Sequence, residues 1–265
     1  MDVADENPGV VAPRTEDIKV YWMPGCSSCV KAKEHLKKLN VPFEPVNVVA
    51  NPEAMDDLKK LGIRGIPCVT RGTEWVYAQS LEDVTAFLGK VYAPPKVQTP
   101  EYIFEKWLFL LDTTISYLKA TPPDVLKVEP VKNRVRPVGQ LAFHVFQIAE
   151  AFVHCMRTRQ SAWIERSSGA VDMSIALDKP RLLDYAAPIV AELRKYRDNG
   201  EFQSVPMDFE WGLKTTYEFL DRSSWHSAQH MRQVASTLAR EGVTLVPQWK
   251  DEYFQGLNVP VQLWE

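Results

Sequence analysis

His226 and His230 stand four residues apart in Trp225-His226-Ser227-Ala228-Gln229-His230-Met231-Arg232-Gln233. Side chains at i and i+4 of a helix share one face, so two imidazoles at that spacing converge on one point, as metal ligands do. His144, in the apolar helical stretch Leu141-Ala142-Phe143-His144-Val145-Phe146, could complete a three-nitrogen set. Three neutral imidazoles leave a coordination position open, which suits catalysis better than a closed structural site. Gln140 and Gln147 lie a turn either side of His144, and Gln229 and Gln233 flank His230, so a polar strip should run along an apolar wall. Burying such groups is costly unless each finds a partner, and a hydrated metal supplies one. Asp112, Glu150 and Gln147 are candidates to hold the rings by their second nitrogens.

A second set of reactive groups lies near the start of the chain. Trp22-Met23-Pro24-Gly25-Cys26-Ser27-Ser28-Cys29 places a Cys-x-x-Cys where a strand turns into a helix. The free amides and dipole of a helix N-terminus favour a negative sulfur, which makes Cys26 the attacking thiolate and Cys29, one turn on, the resolving thiol. Cys68 and Cys155 read as buried small hydrophobes. His35 and His154 read as solvated or packed rather than as ligands.

The elements that must position these groups fall into two domains. From Ile18 to about Gly89, short strands (Ile18 to Trp22, Phe43 to Val49) alternate with helices (Val30 to Leu39, Pro52 to Leu61). A hairpin from Cys68 to Tyr77 around Gly72 and a helix from Ser80 to Leu88, with Ser80 as N-cap, complete an α/β unit. Residues 91–100, containing Pro94, Pro95 and Pro100, form the linker. From 101 onward helical stripes dominate. Four helices are expected: one after Thr99-Pro100, then Pro137 to Arg157, Arg181 to Tyr196 kinked or divided at Pro188, and Leu213 to Arg240. With long crossovers they make an all-α bundle, followed by a C-terminal extension to residue 265.

Composition sets the class. The chain has 265 residues, 45% hydrophobic and 25% charged, with net charge −3 and no dense basic stripe, which excludes nucleic acid as a favoured partner. Residues 1–17 read as a flexible tail without the features of a secretory signal, and no run suits a membrane span, so a cytoplasmic protein is expected. There thiols stay mostly reduced, and a Cys-x-x-Cys reads as redox chemistry or metal binding.

Over residues 18–90 the chain resembles the glutaredoxin and thioredoxin family, on Cys26-Ser27-Ser28-Cys29 after the first strand and Gly65-Ile66-Pro67 about forty residues later. The resemblance implies a thioredoxin-like fold, a cis Ile66–Pro67 bond facing the cysteines, and Ile66 and Pro67 as the residues that meet a bound thiol. Met23 and Ala78-Gln79-Ser80-Leu81-Glu82-Asp83 stand where glutaredoxins carry a lysine and a Gly-Gly-x-Asp stretch. The second domain is similar to the DinB-like superfamily of four-helix bundles, which includes thiol-dependent transferases and isomerases. That likeness rests on Arg136-Pro137-Val138-Gly139-Gln140-Leu141-Ala142-Phe143-His144 and on His-x-x-x-His-x-x-Gln from His226. It implies His144, His226 and His230 as ligands of a divalent transition metal, zinc first on availability, with nickel, iron and manganese as alternatives.

Joined in one chain, the two likenesses imply a metal- and thiol-dependent transferase, isomerase or oxidoreductase. Its cosubstrate would be glutathione or another low-molecular-weight thiol, and its substrate a small-molecule electrophile. Homodimer formation is a further expectation. Two alternatives stand beside it: a non-catalytic redox or metal sensor, and a glutaredoxin-type disulfide reductase whose bundle serves as a dimerisation module.

Overall fold

The computed structural model describes residues 18–132, 134–161 and 171–264; the tail expected over residues 1–17 lies outside them. In the first domain β1 (Ile18–Trp22) pairs in parallel with β2 (Glu44–Asn47) and antiparallel with β3 (Cys68–Arg71). Strand β4 (Glu74–Tyr77) closes the β3 hairpin, giving the order β2-β1-β3-β4. Gly72 turns that hairpin at φ +60°, a conformation that strains any residue with a Cβ. Helices α1 (Ser27–Lys38), α2 (Glu53–Lys60) and α3 (Leu81–Phe87) cover the sheet.

Strand periodicity decides which helix each residue meets, because successive side chains point to opposite faces. Val20 and Val69 pack with Ala32 and Leu36 of α1 and Val84 of α3, whereas Tyr21 and Cys68 pack with Ala54 and Leu58 of α2. The result is a three-layer α/β arrangement compatible with a thioredoxin-like fold. Ser80 caps α3 as expected, its hydroxyl accepting the Asp83 amide at 3.2 Å.

Residues 90–99 carry neither helix nor strand. They are nonetheless tied down: the Tyr217 hydroxyl accepts the Gln98 amide at 3.2 Å and donates to the Gln98 carbonyl at 2.8 Å. The described residues from 100 onward are mainly helical, with α4 (Pro100–Ala120), α5 (Val138–Thr158), a short α6 (Met173–Ala176), α7 (Lys179–Asp198) and α8 (Thr216–Arg240). Helices α4 and α5 each pack against both α7 and α8. Phe104, Trp107, Phe146, Phe152, Tyr196 and Phe219 are almost fully buried in one continuous core. Among the described residues no helix is long and apolar enough to cross a membrane.

Of the two outcomes expected at Pro188, division does not occur: α7 runs through it. One expected boundary changes. Helix α8 begins at Thr216 rather than Leu213, because Pro206–Phe209 and Gly212–Thr215 form an antiparallel hairpin ahead of it, β5 and β6. A capping box then fixes the helix start: the Thr215 hydroxyl accepts the Glu218 amide at 3.2 Å, and the Glu218 carboxylate accepts the Thr215 amide at 2.7 Å. The C-terminal extension after α8 packs back on the rest of the chain. It runs back over α4, where the Tyr117 and Tyr102 hydroxyls donate to the Pro247 and Gln255 carbonyls at 2.8 Å each. It then reaches the first domain, where the Glu34 carboxylate accepts the amides of Val261 and Gln262 at 3.0 and 2.7 Å.

Candidate functional site

The three histidines meet. The candidate ligand atoms of His144, His226 and His230 all lie within 4.8 Å of one another, and among the described residues these three make up the group. Helix α5 brings His144 and α8 brings the other two; one hydrogen bond joins those helices beside the site, and a close contact with α6 seats the start of α5. The Ser227 hydroxyl donates to the Val145 carbonyl at 3.0 Å, joining the residues next to His226 and His144. At the start of α5, Gly139 packs against the Ala176 carbonyl so closely that a Cβ there would collide with it.

The ring orientations suit ligation. The Gln147 carbonyl oxygen lies 3.0 Å from His144 Nδ1, and that of Gln233 lies 2.7 Å from His230 Nδ1. An amide oxygen only accepts, so each Nδ1 carries the proton and each Nε2 keeps its lone pair. The Gln233 amide is itself oriented, since its NH₂ donates to the Leu263 carbonyl at 3.1 Å. His226 and His230 bring their Nε2 atoms to 3.2 Å. A tetrahedral ion with metal–nitrogen bonds of about 2.0–2.1 Å has ligand–ligand edges of about 3.3–3.4 Å, so this spacing fits one. Burial, and after it the positive charge of Arg136, pushes the His144 pKa down to about 3. His226 and His230 are pushed well below the ordinary histidine value, by burial first and then by Arg222 and Arg136 respectively. Neutral imidazole is the form that binds metal.

Cys26 is the N-cap of α1, its sulfur accepting the Cys29 amide at 3.2 Å, and it is joined to Cys29 in a disulfide. Cys29 is fully buried and Cys26 is half-buried, so Cys26 is the sulfur a thiol can approach. The Ile66–Pro67 bond is cis, and the Ile66 carbonyl accepts the Gln79 side-chain amide at 3.4 Å. Cys68 is buried in strand β3, and burial pushes its thiol up to about 12, which keeps it protonated at neutral pH. Cys155 is likewise buried. His35 packs with its Nε2 2.7 Å from the Thr85 hydroxyl.

The two sets of groups, far apart in sequence, adjoin in space. The Ser27 hydroxyl, between the two cysteines, lies 3.2 Å from His230 Nε2. Arg136, just ahead of α5, donates to the Gly25 carbonyl at 3.3 Å. Beside this junction, α1, the linker and α8 enclose a cavity of about 600 Å³ whose walls include Lys31, Trp211, Tyr217, Arg222 and Trp225. The Lys31 ammonium lies 3.7 Å from the Trp225 ring centroid, and desolvation lowers its pKa to about 7. Lys214 pairs with Asp83 across the same interface at 2.8 Å.

Two expected ring holders are elsewhere. Asp112 is exposed and pairs with Arg194 at 2.7 Å, and Glu150 accepts the Tyr185 hydroxyl at 2.7 Å, so neither orients a histidine. Both face the outer side of their helices, and a carboxylate there keeps its hydration at no cost. Gln147 does hold His144. Gln229 turns away from the triad to donate to the Gln262 and Leu263 carbonyls at 3.0 Å each. Ser27 and Arg136 lie inside the two quoted motifs, but nothing in the sequence marks them as site residues, because their contacts with His230 and Gly25 cross between the domains.

Comparison with known proteins bears on the first domain. Residues 18–76 match the family model described as Glutaredoxin. A glutaredoxin-like 8.6 kDa protein in the rubredoxin operon of Clostridium pasteurianum is 36% identical over 53 residues, 20% of this chain and 71% of that protein. The Gene 56 protein of Mycobacterium phage L5 is 37% identical over 57 residues, 21% of this chain. The global transcriptional regulator Spx 1 of Oceanobacillus iheyensis is 34% identical over 44 residues, 17% of this chain. The chain spans about half the length of the phage protein and a third of the regulator, 55% and 34%. No solved structure matches the chain.

Proposed function

Through its first domain the chain belongs to the glutaredoxin family, and from that premise we propose that it is a thiol-dependent metalloenzyme. His144, His226 and His230 hold a divalent transition metal in a DinB-like four-helix bundle, with zinc favoured on availability. The Cys26–Cys29 pair handles glutathione or a related low-molecular-weight thiol. The observation that carries this reading is the 3.2 Å approach of Ser27, inside the Cys-x-x-Cys, to His230 of the triad.

A bound ion would supply Lewis acidity, lowering the pKa of a thiol or water in its open position so that the anion attacks an electrophile. The chain's own residues do the rest. Gln147 and Gln233 hold the Nδ1 protons and aim the Nε2 lone pairs inward. The cavity between the domains, walled by Trp211, Tyr217 and Trp225 with Lys31 and Arg222 beside them, takes the small-molecule electrophile. In a separate step, Cys26 attacks a disulfide that the low-molecular-weight thiol has formed with itself or with another thiol and displaces one thiolate, and Cys29 then displaces the second, leaving Cys26–Cys29 oxidised.

Metal content of the purified protein tests this reading. Wild type isolated without chelators should carry about one ion per chain and His226→Ala far less. Wild type that neither carries nor takes up metal would end it. The likeness to a transcriptional regulator favours one other reading, a redox sensor in which disulfide formation alters domain docking. A sensor turns over no electrophile and binds a partner in only one redox state.

A further inference from the structure

We infer that Cys26, once reduced, is the fourth ligand of the metal held by His144, His226 and His230, so that the two domains share one His₃Cys centre. This rests on the proposed metal-binding role of the triad and adds to it a ligand from the other domain.

The residues on either side of Cys26 both touch the histidine site. Ser27 places its hydroxyl 3.2 Å from His230 Nε2, and the Gly25 carbonyl accepts from Arg136 at 3.3 Å. Consecutive Cα atoms are 3.8 Å apart, so the Cys26 backbone lies within one residue of both contacts. To ligate, its side chain would have to turn from Cys29 towards the histidines and bring Sγ within about 2.3 Å of the ion. Three further features agree. The triad supplies three neutral nitrogens and leaves a position open. Among the described residues no carboxylate or cysteine joins that group as it stands, Cys26 in its disulfide included, so a fourth ligand has to be brought to it. The guanidinium of Arg136 makes the junction electropositive, which favours sulfur in its anionic form.

Docking of the domains holds this geometry. Glu34, two turns along α1 from Ser27, grips the amides of Val261 and Gln262, while Gln229 and Gln233 of α8 grip the carbonyls of residues 262 and 263. The same Gln233 orients His230. One strap therefore ties the helix that carries Cys26 to the helix that carries two ligands.

In the disulfide, Cys26 Sγ is bonded to Cys29 Sγ and cannot ligate. Reduction by two equivalents of an external thiol breaks that bond: two electrons and two protons pass to the cysteines, and the two thiols leave joined as their own disulfide. Ligation then releases the Cys26 thiol proton to solvent. Oxidation reverses both steps and reopens the fourth position.

Cobalt(II) added to the metal-free, full-length protein tests the assignment, because a thiolate ligand gives a near-ultraviolet charge-transfer band that histidines do not. With phosphine-reduced wild type we expect that band together with visible ligand-field bands, and with the Cys26→Ser and disulfide forms the ligand-field bands alone. Cys29→Ser should keep the thiolate band, and His226→Ala should lose most of it. The zinc affinity of the reduced protein should exceed that of the disulfide form by about tenfold or more. Ligand-field bands without a thiolate band in reduced wild type would overturn the inference and leave the three-histidine reading standing. A thiolate band undiminished in His226→Ala would place cobalt on the cysteines alone and overturn it too. No cobalt spectrum from any form would remove both.

Discussion

In the first domain the Cys26 sulfur sits at the end of a helix, and its setting is backbone: the Cys26 cap, the Cys29 amide and the turn at Gly25 come from adjacent residues. In the helical domain the clustered histidine nitrogens lie inside the protein, delivered by two helices, with His144 and His230 held by side-chain amides. A site made by backbone tolerates change around it, because its geometry is local. A site of buried polar side chains does not, since each group must keep its partner or bear the cost of desolvation. The contrast explains why the first half of the site can be recognised in a matched segment of only 53 residues.

Breaking one buried amide should show the contrast most strongly. Gln233→Leu is expected to weaken zinc binding by ~10–100-fold, because His230 loses the group that fixes its tautomer. Chelator competition measures this, and the reduction potential of Cys26–Cys29 in the metal-free protein, read against a glutathione buffer, should stay put. An unchanged zinc affinity would show that the helical site is as forgiving as the thiol site.

Acid should sharpen the comparison to a smaller degree. His144 stays neutral in the folded protein down to about pH 3, while in the unfolded chain it protonates near 6.5. Between those values the unfolded state binds the extra proton, so the stability of the metal-free protein falls as pH drops from about 6.5 towards 3. This residue contributes at most ~1.4 kcal/mol per pH unit. Denaturant midpoints at pH 7 and pH 5 should therefore differ less in His144→Gln than in wild type; equal differences would contradict a buried neutral His144.

The smallest effect belongs to the ion pair across the interface. A double-mutant cycle on Lys214 and Asp83 should return no more than about 1 kcal/mol, because Asp83 is partly solvated. A much larger coupling would mean that this pair, rather than the strap gripped by Glu34, holds the domains in register.

Much of the fold was legible because its signals are local. The strand-turn-helix around Cys26, the hairpin at Gly72, the Ser80 cap and the Thr99-Pro100 start of α4 all depend on neighbouring residues and all form, although α1 begins at Ser27, three residues ahead of the apolar stripe that starts at Val30. The misplaced start of α8 has the same origin. Leu213 continues the apolar period of the helix, yet its pairing with Asp208 draws it into the β5–β6 hairpin. Residue type alone makes Asp112 and Glu150 candidates, and only their outward direction disqualifies them as ring holders.

The sequence by itself determined which atoms could react and on what elements they ride: Cys26 and Cys29 at a helix start, His226 and His230 one turn apart, and His144 on another helix. Spacing along a helix is fixed by its pitch, so those relations follow from residue numbers alone. Only the tertiary structure decided that the two sets adjoin. The approach of Ser27 to His230, the Arg136 bond to Gly25 and the grip of Glu34 on Gln262 depend on how separate cores dock, and no periodicity encodes contacts between residues 111 to 228 positions apart.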